Sequence, residues 1–434
     1  MPITVAIVGS GPAGLYTADA LLKDGGVEID IIDRLPTPFG LIRAGVAPDH
    51  QTTKKIQQKF EQTALDDSIR YFGNVEVGRD VSLDELRGMY DAVVLAVGAP
   101  LDRKIGIPGE DKQGVHGSAA FVGWYNAHPD FRHLAPDLNV KAAVVVGVGN
   151  VAIDIARVLV KTPAEMADTD LPEYAAHDIH ASPLTDVYII GRRGPIDAKF
   201  TNVELRELGK LERAVPQLDP AQLPDAVVGE WDDRDRRLKE RNLATLKEFA
   251  ARRRDEQPKA VHFLFYAAPV EILGGGKVEG LRLERTRVEN GQAFGTGEMF
   301  DIPCGLVIPA VGYRSVPVPG APFDARACIV PNQDGRVARG LYAAGWIKRG
   351  PTGVIATNRP DGVVAAAHIR EDILAGTNPG RAALQAALAQ RQVRSTSIAD
   401  WQKIRAMEEG TAQPPAPRRK LSSIREMLAV LDGA

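Results

Sequence analysis

Short apolar runs alternate along the chain with longer stretches that have helical character. The apolar runs predict buried strands at residues 5–8, 29–32, 69–72, 75–77, 92–97, 142–146, 187–190, 306–311 and 341–344. The stretches between them predict helices at 13–23, 52–66, 232–254 and 353–374. This alternation favours an α/β fold with parallel sheets.

Three further elements follow from local signals. The apolar runs 261–267 and 281–288, with three glycines at 274–276 between them, predict a hairpin. The helix at 232–254 mixes acids and bases densely, so we expect an exposed helix. Prolines at 414, 415 and 417 indicate a linker that leads to a short terminal helix.

The first strand runs directly into the glycine turn GSGPAG, at 9–14. The next strand, 29–32, ends in an acid, Asp33. A glycine turn between strand and helix lets a pyrophosphate approach the backbone. An acid about 20 residues later hydrogen-bonds the ribose of an unphosphorylated dinucleotide such as FAD or NAD.

A second glycine turn, GVGNVA at 147–152, follows the strand 142–146. Here the next strand, 187–190, ends in Gly191-Arg192-Arg193, and residues 161–184 are interpreted as an insertion after the helix. Two arginines at this place suit the 2′-phosphate of NADP. A tight turn without a ligand is the alternative for either copy. Together the two turns predict one FAD site and one NADPH site.

The positions of the strands predict nested domains. The first turn, the strand at 92–97 and the region of Gly345 and Trp346 belong to one dinucleotide-binding fold, and the second fold interrupts it. We therefore expect two Rossmann-like domains, with the NADP domain inserted into the FAD domain. The FAD-binding domain covers 1–100 and 325–434, and the NADP-binding domain covers 101–324.

Composition excludes several functions. The chain has 434 residues, 44% of them hydrophobic, and a net charge of −3, so nothing favours a nucleic-acid partner. No apolar run reaches the length of a membrane span, and the first strand leaves no room for a leader, so we expect a cytoplasmic protein. Cys304 and Cys328 are the only cysteines. They give no disulfide framework, no four-cysteine iron–sulfur or zinc site and no Cys-x-x-Cys, and the lack of Cys-x-x-Cys excludes dithiol flavoenzymes.

Four longer blocks carry a family resemblance. They are PTPFGLIRAGVAPDH (36–50), FVGWYNAHP (121–129), GRRGP with FTNVELREL (191–208) and AAGWIKRGPTGVIATN (343–358). With both glycine turns, they resemble adrenodoxin reductase-type NADPH–ferredoxin reductases, and most of all the bacterial, mycobacterial-type members. The resemblance implies an enzyme that takes a hydride from NADPH onto FAD and passes single electrons to a small acidic iron–sulfur ferredoxin. No cysteine-bearing ferredoxin extension is present, so the chain resembles the stand-alone reductase.

The resemblance also assigns cofactor residues. For FAD it implies Gly9, Gly11, Ala13, Gly14, Asp33, Leu41, Val77, Trp346, Gly353, Val354 and Ile355. For NADPH it implies Arg103, Gly147, Val148, Gly149, Asn150, Val151, Arg192, Arg193, Glu204 and Gly353. The acid of the first site is commonly Glu in this family, so the shorter Asp33 is a departure. Plainer roles stay open for four of these residues: solvated charge for the arginine pair, core packing for Trp346 and a loop cap for Arg103.

Two further roles are expected. His50 and Glu207 match polar positions near the flavin, where they could relay protons, although ordinary hydrogen-bonding roles are equally expected. Arg206, Arg236, Arg237 and Lys239 are basic candidates for steering an acidic ferredoxin. A solvated charged face is the alternative, because acids are interleaved with these bases.

Three other functions remain as alternatives. A non-catalytic flavoprotein that senses nucleotide would keep both turns. A flavin monooxygenase is suggested by Phe121, Gly123 and His128, but four residues separate the last two instead of three. An amidotransferase-like electron-entry subunit would need N-terminal cluster cysteines, which are missing.

Overall fold

The structure is a computed structural model that describes residues 1–255 and 257–433. Its strands are β1 (Ile3–Val8), β2 (Val27–Ile32), β3 (Ile69–Phe72), β4 (Ala92–Leu95), β5 (Leu101–Asp102), β6 (Ala142–Val146), β7 (Asp186–Ile190), β8 (Ala214–Leu218), β9 (Lys259–Leu264), β10 (Ala267–Leu273), β11 (Gly280–Glu289), β12 (Gln292–Pro303), β13 (Leu306–Pro309), β14 (Tyr313–Arg314), β15 (Arg336–Ala338) and β16 (Leu341–Ala343).

Its α-helices are α1 (Pro12–Leu22), α2 (Leu41–Ala44), α3 (Gln51–Lys54), α4 (Ile56–Ala64), α5 (Leu83–Met89), α6 (Ser118–Tyr125), α7 (Asn150–Val160), α8 (Glu173–Ala181), α9 (Asn202–Glu207), α10 (Asp233–Ala250), α11 (Trp346–Arg349), α12 (Asn358–Asp372), α13 (Arg381–Gln390), α14 (Ile398–Gly410) and α15 (Ile424–Leu431). None of these described helices is long and apolar enough to cross a membrane.

The chain forms two compact units. The first comprises Met1–Leu101, Asn126–Asp130 and Tyr313–Ala434, and the second comprises Asp102–Tyr125 and Phe131–Gly312. The second unit is thus formed by the middle of the chain, and the segments before and after it belong to the first unit, which agrees with the predicted insertion. The later boundary lies at Tyr313 instead of residue 325. Which cofactor each unit holds stays a prediction.

The first unit is built on a six-stranded sheet in the order β15-β16-β4-β1-β2-β3. Every neighbouring pair is parallel except β15 with β16 at the edge. All six residues of β1 are buried, as a central strand covered on both faces must be. Helix α12 packs on α1 so closely that a Cβ at Gly362 would lie 2.7 Å from the backbone N of Thr17. The last third of the chain therefore belongs to the fold that the first glycine turn opens.

The second unit has a five-stranded parallel sheet in the order β13-β6-β7-β9-β8 and an antiparallel sheet in the order β10-β11-β12. The parallel sheet again has its first strand, β6, in an inner position: the chain adds β7, β8 and β9 on one side of it and β13 on the other. Ligands of open α/β sheets bind outside the carboxyl ends of the strands at such a switch point. The predicted insertion after the helix contains α8, whose Ala175 and Ile179 are buried.

Four local predictions were wrong in part. Residues 261–264 belong to the parallel strand β9, and the hairpin is formed instead by β10 and β11 around the glycines at 274–276. Residues 75–77 form no strand, and only an isolated bridge joins Val77 to Val81. The helix at 52–66 is two helices separated at Lys55. Helix α10 is not exposed throughout, because Leu243, Leu246 and Phe249 in its second half are buried.

Candidate functional site

The first glycine turn has the close backbone contacts that a dinucleotide site needs. Gly9 has a φ of +111°, and a Cβ there would lie 2.5 Å from the carbonyl O of Ala96. At Gly14 a Cβ would lie 2.0 Å from the carbonyl O of Gly9, so helix and strand touch at that point. Beside Gly11 no described atom lies within 4 Å of a Cβ position, so this side of the turn is open.

Helix α1 begins at this open side. Its N-cap is Gly11, and no side chain of the described residues caps it. Backbone N–H groups at the helix N-terminus are thus available to an anion, which is how such turns hold a pyrophosphate. The buried Ala13 lies in the first turn of this helix.

Asp33 lies just past β2 and reaches back to the glycine turn. Its Oδ2 accepts hydrogen bonds from the N–H of Ser10 at 2.8 Å and from its hydroxyl at 2.5 Å. Its Oδ1 accepts the N–H of Leu35 at 3.0 Å. A carboxylate has about four lone-pair sites, so three contacts leave one for a ribose hydroxyl. The shorter acid is therefore held rigidly at the place where the ribose contact is expected.

Two apolar residues of the predicted FAD set lie on surface segments of the first unit. Leu41 opens α2 and is 40% exposed. Val77 is half-buried against the core cluster under β4.

Side-chain hydrogen bonds hold the segment 345–358 together, with Asp361 as a further partner. Trp346 donates its indole N–H to the carbonyl of Thr352 at 3.1 Å, and the carboxylate of Asp361 holds Arg349 through Nε at 2.7 Å. Arg349 also donates to the same Thr352 carbonyl at 2.5 Å and to Asn358 Oδ1 at 3.1 Å. This network fixes the loop that carries Gly353, Val354 and Ile355.

Gly353 itself has a φ of +84°, and a Cβ there would lie 2.3 Å from Thr357 Oγ1. Only glycine adopts this conformation without strain and without displacing the threonine. Val354 beside it is 51% exposed. The loop thus presents a glycine backbone and an apolar side chain at the surface.

The second glycine turn repeats these features in the second unit. Gly147 has a φ of +139°, and a Cβ there would lie 2.3 Å from the carbonyl O of Ala310. Around Gly149 no described atom comes within 4 Å of a Cβ position, and α7 begins there without a side-chain cap from the described residues. Asn150 is held in place, because its Oδ1 accepts the N–H of Thr201 at 2.8 Å. Val148 and Val151, beside the turn, are half-buried.

The two arginines after β7 differ in their surroundings. Arg193 forms an ion pair with Asp197 at 3.3 Å and donates to the carbonyl of Gly291 at 3.2 Å. Arg192 is exposed, and no side-chain contact of its guanidinium occurs within residues 1–255 and 257–433. Its backbone is fixed, because its carbonyl accepts the hydroxyl of Thr286 at 2.7 Å.

Two of the remaining predicted NADPH residues, Glu204 and Arg103, also lie in the second unit. Glu204, in α9, lies 3.6 Å from the buried guanidinium of Arg157. Arg103 is exposed, and its N–H donates to the carbonyl of Gly312 at 3.0 Å. Gly353, which the resemblance assigns to both cofactors, lies in the first unit.

The two proposed relay residues belong to different units. His50 is half-buried and opens α3. Glu207 accepts a hydrogen bond from Lys210 at 2.6 Å, in an ion pair on the surface of the second unit. The relay role of both residues stays a prediction.

Two dinucleotide-binding folds in one chain define an oxidoreductase that uses two nucleotides. The family model described as "Pyridine nucleotide-disulphide oxidoreductase" matches residues 3–195. Human mitochondrial NADPH:adrenodoxin oxidoreductase is 43% identical over 98% of this chain and 91% of its own length. The NADPH-ferredoxin reductase FprA of Mycobacterium tuberculosis is 42% identical over 99% of both chains. A solved structure of that FprA in complex with NADPH matches with a TM-score of 0.94, 41% identity and 99% coverage of both chains.

The chain belongs to the family of NADPH–ferredoxin and NADPH:adrenodoxin reductases. This membership confirms the resemblance and the predicted Rossmann-like fold class. It also confirms the predicted enzyme class and the pair of cofactors, FAD and NADPH.

Sequence reasoning missed two basic residues near these sites. Arg349 gave no signal, because its bonds to Asp361 and Asn358 connect positions that only the fold brings together. Lys199 follows the arginine pair by six residues, and its N–H donates to the carbonyl of Val148 in the second glycine turn at 2.8 Å. A third base soon after an arginine pair was the signal that could have identified Lys199.

Proposed function

We propose that this enzyme moves electrons from NADPH, through FAD bound in the first unit, to an acidic iron–sulfur ferredoxin. When bound, FAD accepts a hydride from NADPH and can release the two electrons singly, which NADPH cannot do. The observation that carries the proposal is the contrast between the two folds. An anchored acid, Asp33, follows the second strand of one, and an arginine pair follows the second strand of the other.

The residues proposed to hold FAD each have a distinct task. Backbone N–H groups at the start of α1 bind the pyrophosphate, and Asp33 accepts a ribose hydroxyl. The apolar side chains exclude water from the ring system, and Gly353 admits a close approach to it. The full proposed set is Gly9, Gly11, Ala13, Gly14, Asp33, Leu41, Val77, Trp346, Gly353, Val354 and Ile355.

The residues proposed to hold NADPH work in the same way, and all of them except Gly353 lie in the second unit. The N-terminus of α7 binds the pyrophosphate, and the arginines bind the 2′-phosphate through charged hydrogen bonds. Glu204 would take part in this site, and its ion pair with Arg157 would hold it in position. The full proposed set is Arg103, Gly147, Val148, Gly149, Asn150, Val151, Arg192, Arg193, Glu204 and Gly353.

The test of the leading proposal uses the purified holoprotein under anaerobic conditions. We expect a yellow protein whose flavin absorbance is bleached rapidly by NADPH and recovers on addition of oxidised ferredoxin. Acid denaturation releases free FAD, since the bond is noncovalent. A flavoprotein that only senses nucleotide would bind NADPH without bleaching. FMN in the supernatant would contradict the assignment of the first glycine turn.

The acidic character of the ferredoxin rests on bases exposed in the second unit. Arg206 and Arg237 are exposed, and no side-chain partner of either occurs among the described residues. Arg236 donates to the carbonyl of Gly229 at 3.0 Å. Lys239 is a weaker candidate, because it donates to the carbonyl of Ile196 at 2.6 Å and lies over the ring of Trp231.

Charge reversal tests this surface. The double variant Arg236→Glu, Arg237→Glu is expected to slow ferredoxin reduction at low salt and to flatten its salt dependence. Reduction of ferricyanide by NADPH stays near the wild-type rate, since a small acceptor needs no docking. Unchanged ferredoxin kinetics at low salt would make this a solvated face. The cytoplasmic location remains a prediction from the sequence.

A further inference from the structure

A third basic side chain lies on the segment that follows β7. After the arginine pair, the chain makes a short turn at Pro195–Asp197 and returns to the second glycine turn. There the N–H of Lys199 donates to the carbonyl of Val148 at 2.8 Å. The main chain of Lys199 is thereby anchored to the turn proposed to bind NADPH, while its side chain is exposed.

Lys199 shares its surroundings with two other cations. The pKa of Lys239 is lowered, first by burial of its ammonium group and then by the positive charges of Lys199 and Arg193, against the opposing effect of Asp197 and Asp235. Lys199 and Arg193 therefore each lie within reach of the charge of Lys239. Cations held together in this way favour an anion among them.

The three cations are not equally free to bind an anion. The Arg193 guanidinium contacts Asp197 and the carbonyl of Gly291. The Lys239 ammonium donates to the carbonyl of Ile196 at 2.6 Å and lies 3.9 Å from the ring centroid of Trp231. Lys199 has no such contact within the described part of the chain. Within the described residues, the charges of Lys199 and Arg192 are therefore both available to bind an anion.

We propose that Lys199 binds the 2′-phosphate of NADPH together with Arg192, and that Arg193 and Lys239 mainly shape the site. This inference rests on the proposed function, because it assumes that NADPH occupies the second glycine turn. A lysine supplies a mobile point charge on a long stem, which complements the fixed fork of an arginine around one phosphate. Lys199 would then be a residue that selects NADPH over NADH.

The test measures binding of 2′,5′-ADP and of 5′-AMP to the oxidised holoenzyme by calorimetry. These probes differ only in the 2′-phosphate and need no turnover. The variants are Lys199→Gln, which removes the charge, and Lys199→Arg, which keeps it. The control is Lys277→Gln, because Lys277 is an exposed lysine of the same unit in the glycine-rich hairpin turn.

We expect Lys199→Gln to weaken 2′,5′-ADP about fivefold to tenfold, the size of one partly solvated ion contact. Binding of 5′-AMP, the thermal midpoint and the bound FAD stay unchanged. Lys199→Arg restores most of the affinity, and Lys277→Gln leaves both probes unaffected. The KM for NADPH rises in Lys199→Gln, and the KM for NADH does not.

Two results would overturn the proposal. Equal weakening of 2′,5′-ADP and 5′-AMP would place Lys199 at the 5′-phosphate or in support of the fold. Wild-type affinity in Lys199→Gln would make it a solvated side chain. If instead the wild-type enzyme binds both probes equally, the proposed NADPH site itself fails, and the inference fails with it.

Discussion

At the scale of single residues, the arginine pair after β7 is asymmetric. Arg192 is uncommitted among the described residues, whereas Arg193 is tied to Asp197 and to the carbonyl of Gly291. A charge-assisted contact contributes on the order of 1.5–3 kcal/mol, so losing one weakens ligand use roughly 10- to 100-fold. We expect Arg192→Ala to raise the KM for NADPH within that range and to leave the KM for NADH nearly unchanged.

Arg193→Ala is the informative comparison for that variant. It is expected to raise the KM for NADPH less than Arg192→Ala does, because the ion pair with Asp197 already offsets part of the Arg193 charge. Steady-state kinetics with both nucleotides separate the two variants. If Arg192→Ala raised the KM for NADPH and the KM for NADH equally, the side chain would stabilise the fold and would not bind the 2′-phosphate.

The two cysteines also differ at this scale. Cys304 is 5% exposed, and burial raises the pKa of its thiol to about 12, whereas Cys328 is half-buried. Since the thiolate is the reactive form, Cys304 is inert near neutral pH. We expect one fast-reacting thiol per native chain with a chromogenic disulfide at pH 8, and none in Cys328→Ser. A second fast thiol in the folded wild type would contradict the burial of Cys304.

The residue scale also shows what the sequence could predict about the site. The glycines at 9, 14 and 147 could be predicted, because backbone conformation and close packing act on neighbouring positions. The hydrogen bonds of Asp33 to Ser10 could not, since a carboxylate at that place could equally face only solvent or ligand. Likewise, the asymmetry of the arginine pair depends on Gly291, which lies 98 positions away.

At the scale of elements, α14 is joined to α2 by a buried ion pair. Arg43 donates to Glu408 through both terminal nitrogens, and the two side chains are 6% and 0% exposed. Lys420 adds a hydrogen bond to the carbonyl of Arg43 at 2.9 Å. The C-terminal segment thus fixes the helix that begins with Leu41, one of the residues proposed to contact the flavin.

Glu408→Gln is expected to cost about 3–5 kcal/mol in the free energy of unfolding, because it removes the buried negative charge that both terminal nitrogens of Arg43 contact. It should also speed the release of FAD, since the loop around Leu41 loses its support. Urea unfolding and flavin fluorescence measure the two effects. Glu409→Gln is the matched control, because that neighbour is 48% exposed and its contacts are long. Equal behaviour of the two variants would refute the role of the buried pair.

The element scale explains why one strand was misassigned. An apolar run at 261–267 fits either an arm of a hairpin or a strand of a parallel sheet, and periodicity does not separate them. The structure has a parallel strand there, between β7 and β8, and the chain turns at Tyr266, whose φ is +53°. The first arm of the hairpin, β10, begins one residue later, at Ala267. A left-handed conformation is rare for tyrosine, so this break could not be predicted from the residue type.

At the scale of the whole molecule, the nested order of the two folds followed from the sequence. The strand at 341–343 pairs with β4 although some 250 residues separate them in the chain. Two similar glycine turns and a late apolar strand were enough to predict this return. The C-terminal helices α13 and α14 were missed, because their burial depends on long-range partners such as Arg43 for α14.

The stability of the whole molecule should depend on pH in part through His128. Burial lowers the pKa of His128 to about 4, with Arg34 and Arg43 adding to the effect against Asp130, and His128 Nδ1 accepts the N–H of Asp130 at 3.2 Å. The unfolded chain has a histidine pKa near 6.5. Between about pH 6.5 and pH 4, the unfolded state therefore binds more protons, so stability falls as the pH falls through this window.

His128→Gln tests this dependence, because glutamine still offers an acceptor for the Asp130 N–H but does not titrate. Wild type is expected to lose about 1–2 kcal/mol more than the variant between pH 7 and pH 5, after allowance for partial solvation. The measurement is urea unfolding at both pH values, and comparing the two proteins removes the contribution of the carboxylates they share. A variant that loses as much stability as the wild type would show that His128 is protonated as easily in the folded chain as in the unfolded one.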